Sequence, residues 1–215
     1  MQIIRFYLLM SIAFFIVNMA QSEPITIKTR SQVVTATNGG KYESMEKEAT
    51  WETTQTAVII VDMWDDHWCP NAAKRVTEMA KPMNKVIKLA REKGMLIIHA
   101  PSSTVDFYKG TLARKRSINA PSASPPKPLS KDVRWGTNWC WPDKFRETEL
   151  PIDDSDMGCD CEKEFPIREA WTRQIETIEI DDESDAITDN GQEAYNLLVE
   201  HKIENVILMG VHLNM

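Results

Sequence analysis

The chain has 215 residues and a mass of 24.6 kDa, the span of one domain with modest additions. It carries 25 Lys and Arg against 32 Asp and Glu, a net charge of −7, which argues against nucleic acid as the main partner because phosphate-binding surfaces need net positive fields. A hydrophobic content of 42% is enough for a packed core and excludes wholesale disorder.

The N-terminus reads as an address. Arg5 precedes an apolar run from Phe6 to Met19, shorter than the roughly 20 residues that cross a bilayer. Ala20 and Ser22 then offer the small residues that a signal peptidase takes. Residues 1–22 are therefore expected to be a signal peptide, which makes the mature protein secreted or periplasmic with no membrane attachment; an uncleaved anchor is the alternative. Export places Cys69, Cys140, Cys159 and Cys161 in an oxidising space. If all four are bridged, three pairings are open. Only Asp160 separates Cys159 from Cys161, so a bridge to Cys69 or Cys140 is easier than one between them. A lone Cys-x-Cys points only weakly to zinc.

Residues 23–55 are polar, alternate around Ile25, Ile27, Val33 and Val34, and read as an extended arm or edge strand. The domain itself is expected over 56–215. Ala57 to Val61 form five consecutive apolar residues leading into Asp62, the pattern of a parallel strand buried on both faces that delivers a carboxylate to a crevice. Apolar residues then recur at helical spacing from Ala72 to Ala90, with Pro82 expected to kink or split the helix and Gly94 to close it. Met95 to His99 is a second buried strand. Strand, helix and strand in this order imply a right-handed parallel crossover.

From Pro101 to Thr177 the pattern is irregular. Val105 to Lys115 has helical character, while Pro121 to Pro128 cannot be regular. Trp135, Trp139 and Trp141 follow, then an acidic run through Asp153, Asp154, Asp156 and Asp160. An insertion of this length, about 113–177, is usually a lid or an irregular cap. Its tryptophans are expected to pack onto the sheet and its carboxylates to face solvent; their spacing does not match a calcium loop. Ala186-Ile187 suggests a short strand. Asn190 can cap a helix carrying Ala194, Leu197 and Leu198, and Asn205 to Gly210 is a third buried strand. The fold class is α/β, a mainly parallel sheet with helices on both faces.

A central strand is a poor place for a domain to end, because its faces then lack covering elements; the expectation is a chain incomplete at its C-terminus. The strand ending in Asp62, the crossover helix, the second strand and a final Gly210-Val211-x-x-Asn214-x resemble the isochorismatase-like cysteine hydrolases, which include the nicotinamidases. The resemblance spans Ala57 to Met215 and is nearest to exported members with a long tryptophan-containing insertion. It implies a Rossmann-like three-layer fold, with Asp62 as the base. A cysteine nucleophile at the N-terminus of the helix after the last strand would have its thiolate stabilised by unpaired amides. His212 would act through its main chain in an oxyanion hole. Two departures stand out: these 215 residues hold no cysteine at the nucleophile position, and where the family has an active-site lysine, around Asp182 to Asp185, the residues are acidic or neutral. The fragment is therefore expected to be inactive.

Nicotinamidases carry an Asp-x-His and a further His for a divalent ion. Asp65 and His67 show that spacing beside Asp66, and His99 is a further histidine, but the pair follows the first strand too closely to match. His67 reads as a loop histidine at a pocket mouth, His99 as a hydrogen-bonded strand-end residue and His201 as a surface residue. Trp64, His67 and His99 are the candidate substrate contacts, and no metal site is assigned. The leading function is hydrolysis of a C–N or related bond in a small molecule by cysteine chemistry. No cofactor is expected, a divalent metal being the alternative, and the resemblance allows a homo-oligomer. The competing readings are a catalytically silent secreted binding domain and a metal-dependent hydrolase built on Asp62, Asp65, His67 and His99.

Overall fold

The computed structural model describes residues 24–34, 42–126 and 159–213. The signal-peptide reading, Cys140, the three tryptophans at 135, 139 and 141, and the carboxylates at 153, 154 and 156 lie outside the described residues.

Two sheets form. Strands β1 (Ile25–Val34) and β2 (Tyr42–Trp51) pair antiparallel with each other, from Ile25 opposite Trp51 to Val34 opposite Tyr42. The arm expected over 23–55 is thus a self-paired hairpin and not an edge of the main sheet, its alternation arising from one face that is half-buried. A 3-10 turn at Thr53–Gln55 leads into β3 (Thr56–Val61).

The main sheet contains β3, β4 (Leu96–Ala100), β5 (Ala186–Ile187) and β6 (Asn205–Gly210), ordered β5-β4-β3-β6 and parallel at every pairing. The helices are α1 (Pro70–Glu92), α2 (Leu112–Asn119) and α3 (Gly191–Glu200). The continuous apolar runs of β3 and β4 follow from covering on both sides. Val58, Ile60 and Ile97 pack with Val76, Ala80, Met83, Ile87 and Ala90 of α1. Ala57, Leu96 and Ile98 face Ala120 and Leu197 on the other side. Each fully buried Val, Leu, Ile or Met side chain among them contributes about 1.5–3 kcal/mol on burial. The α/β parallel architecture expected from the sequence is present.

Local signals place the element ends. Pro70 sits in the first turn of α1, where its missing N–H costs nothing. Pro82 lies inside α1 without splitting it. The 105–115 region divides into a 3-10 turn at Val105–Tyr108 and the start of α2. Asn190 caps α3 by accepting from the Gln192 and Glu193 amides. At the end of β6, Gly210 has φ +124°, and a β-carbon there would come within 2.0 Å of the Val61 carbonyl oxygen. Only glycine lets β6 run this close to β3.

Candidate active site

The crevice lies beyond the carboxyl ends of β3 and β6, where ligands sit in open parallel sheets. Asp62 follows β3 directly, and His212 lies two residues past Gly210. Both have left-handed backbones, with φ of +50° and +58°, and Ser103 beside them has φ +64°. Asp and His adopt this region more readily than most residues, and such conformations gather at functional sites. One Asp62 oxygen accepts from the Ser102 amide at 3.0 Å. The other lies 2.9 Å from His212 Nδ1. The Asp62 side chain is 8% exposed and that of His212 38%, so the carboxylate is sheltered while the imidazole reaches solvent. The expectation for His212 concerned its main chain; here its side chain meets Asp62.

The crevice opens into a cavity of about 270 Å³ whose lining includes Asp62, Trp64, His67, Cys69, Cys159 and His212. One wall is aromatic. Trp64 stacks on Trp171 with centroids 4.1 Å apart and planes 6° from parallel, and its indole N–H donates to the Ser102 carbonyl. His67 lies 5.5 Å from the Trp171 centroid, and His212 meets Trp64 edge-on at 5.3 Å. His67 Nδ1 accepts from the Cys69 amide at 3.0 Å. Burial lowers the pKa of His67, and the nearby His212 lowers it further. Trp64 and His67 are thus cavity residues.

His99 is not. It is fully buried in β4, with Nδ1 3.0 Å from Gln174 Oε1 and Nε2 3.0 Å from Asp185 Oδ2. The Gln174 amide nitrogen is committed to the Ile178 carbonyl, so both imidazole nitrogens meet acceptors. Asp185 also takes two bonds from Arg91, at 2.8 and 2.6 Å, and one from the Asp181 amide. Burial alone would raise the Asp185 pKa, but the His99 and Arg91 bonds overcome it and hold the carboxyl down at about 2. His99, expected as a substrate contact, thus lies away from the cavity lining, with both nitrogens spent. The acidic stretch where the family resemblance looked for a lysine serves this network through Asp185.

The ligands that the metal-dependent alternative would need do not gather around an ion. Asp65 accepts from the Thr172 amide and hydroxyl and from the Arg173 amide, at 2.8, 2.6 and 3.2 Å. Burial raises its pKa, but these bonds outweigh burial and the net shift is downward. The carboxylate pins the 171–174 segment against Trp64, which forms an isolated bridge with Gln174. Among the described residues, Asp65, His67 and His99 form no group with ligand atoms close enough to share an ion.

Sequence reasoning missed three contributors. Trp171 sits in a stretch with no periodic signal, so its stacking partner is visible only in three dimensions. Ser102 acts through its amide, which no residue type discloses. Cys69, expected only as a bridge partner, is the N-cap of α1, and the Cys69-Pro70 pair is a helix-start signal that could have shown it. Burial raises its thiol pKa, but hydrogen bonds from Cys159, the Ala72 and Asn71 amides and Cys161 outweigh burial and lower it; Cys159, bonded to Cys69, is pushed up to about 12.

No protein-family model, curated protein or solved structure matches the chain. Among the described residues no helix is long and apolar enough to cross a membrane.

Proposed function

We propose that the protein is an exported hydrolase of the isochorismatase-like class, acting on a C–N or related bond of a small molecule in the cavity beyond β3 and β6. The observation that carries this reading is the contact between buried Asp62 and half-exposed His212 at the floor of that cavity. A sheltered carboxylate can take and return a proton, and a histidine held by it can pass that proton to a substrate or nucleophile. Trp64, held by its stack on Trp171, supplies an aromatic side to the cavity suited to a planar substrate group. In the class invoked, the nucleophilic cysteine follows the residue matching Met215.

The test uses the product of the whole open reading frame with a panel of small carboxamides and esters. Asp62→Asn is expected to lower kcat/KM by about 10²–10⁴-fold with an unchanged circular dichroism spectrum. Wild-type turnover in Asp62→Asn would reject Asp62 as the base. N-terminal sequencing of the mature protein tests export, with cleavage after Ser22 expected.

A second reading, a catalytically silent binding domain, is favoured by the aromatic wall together with the acidic stretch where the class has a lysine. Tryptophan fluorescence quenching by planar carboxamides, without turnover and unaffected by Asp62→Asn, would select it.

A further inference from the structure

Three cysteines distant in sequence converge on the rim of the cavity. Cys69 caps the N-terminus of α1, and Cys159 and Cys161 lie on the segment that returns to it. Their sulfurs all lie within 4.8 Å of one another. The Cys69–Cys161 distance is 3.7 Å and the Cys69–Cys159 distance is 2.8 Å. Two thiolates on one tetrahedral zinc stand about 3.8 Å apart, given Zn–S bonds of about 2.3 Å. The Cys69–Cys161 pair already has this spacing, the Cys69–Cys159 pair needs Cys159 to move out by about 1 Å, and the third pair lies within 4.8 Å.

The convergence is built. Asp160, between the two cysteines, is clamped to the first turns of α1: its carboxylate pairs with Arg75 at 2.7 Å and its carbonyl accepts from Asn71 at 3.2 Å. This clamp turns both flanking sulfurs toward Cys69. A disulfide between two of the three would leave the third to pair elsewhere, whereas one ion uses all three sulfurs at once. Among the described residues, these three form the only group of three or more His, Cys, Asp or Glu with ligand atoms close enough to share an ion.

We propose that Cys69, Cys159 and Cys161 form a three-thiolate site for a single zinc ion. Two of the three, Cys69 and Cys159, line the cavity that holds Asp62 and His212, so a zinc held here would sit at the edge of that cavity. Zinc sites with three protein ligands and an open position hold water or a substrate atom there. The site stands whether or not the Asp62 pair is catalytic.

The experiment loads the reduced full chain with Zn²⁺, or with Co²⁺ as a spectroscopic probe. One ion per chain is expected, with thiolate-to-cobalt charge transfer and tetrahedral ligand-field absorption, and zinc should protect the three cysteines from alkylation in peptide mass spectra. Cys161→Ser and Cys69→Ser are each expected to abolish stoichiometric binding. Arg75→Ala, which removes only the clamp, should weaken binding by about tenfold. Because Cys69→Ser also alters the α1 cap, the alkylation pattern of the unmutated chain provides an independent reading. The proposal is overturned by a folded, reduced chain that takes up no stoichiometric metal, or by binding that survives Cys161→Ser. It is also overturned by isolation of the native protein as a Cys69–Cys159 disulfide without metal. Equal loss of binding in Cys140→Ser would show a closed four-cysteine site and remove the open position.

Discussion

The molecule contains two histidine–carboxylate pairs at its main sheet, and they have opposite characters. His99 and Asp185 are 0% and 1% exposed, and Gln174, Arg91 and the Asp181 amide fill the remaining polar valences. His212 and Asp62 have the same 2.9–3.0 Å contact, but the imidazole is 38% exposed and faces a cavity. The same two residue types thus become a strut where every donor and acceptor is taken, and a candidate proton relay where one ring edge stays free for a ligand. Residue type does not separate the two; the partners around them do.

The largest expected contrast is in stability. Asp185→Ala leaves Arg91 and His99 buried without their carboxylate and should cost about 3–5 kcal/mol in urea denaturation. Asp62→Ala removes a partly solvated pair and should cost about 1–2 kcal/mol. Equal losses would erase the distinction. Next comes acid. The Asp185 pKa is depressed in the folded state, so its stabilising contribution is complete above the unfolded carboxyl value near 4. It should fade as the pH drops toward about 2. A stability–pH profile in which Asp185→Asn shows the same loss as wild type over that window would contradict this account. A smaller effect is expected at the aromatic wall. Trp171→Ala forfeits the stacking on Trp64, about 0.5–1.5 kcal/mol beyond lost area, and should weaken binding of planar carboxamides by loosening Trp64, which lines the cavity. The smallest belongs to the hairpin, where Arg30→Ala breaks the exposed pair with Glu46 and should cost under about 1 kcal/mol.

The sequence disclosed much of the scaffold because its signals are local. Five apolar residues before Asp62 require covering on both faces, and Asn190 and Pro70 mark helix starts by chemistry that works within one turn. Asp62 was legible for the same reason, as the residue that ends a buried strand. His99 ends a buried strand too, by the same pattern, and the signal could not say that Gln174 and Asp185, 75 and 86 residues away, would occupy both its nitrogens. Trp171 depends on chain return across the fold, which periodicity does not encode; for the cysteines, the Asp160 spacer pointed to a partner at Cys69 or Cys140, but not to both Cys159 and Cys161 meeting Cys69 across roughly 90 residues. The hairpin of 25–51 was half-read: alternation gave extended backbone, but the partner of an antiparallel strand is not written in its own residues.

Gly210 ties the backbone to the chemistry. A methyl group at this position would wedge β6 away from the Val61 carbonyl, and the displacement would travel two residues to the imidazole that Asp62 holds. The missing side chain therefore acts as a spacer of zero thickness that sets where the Asp62 carboxylate meets the His212 ring. Substitution there should disturb that contact even though glycine contributes no functional group to it.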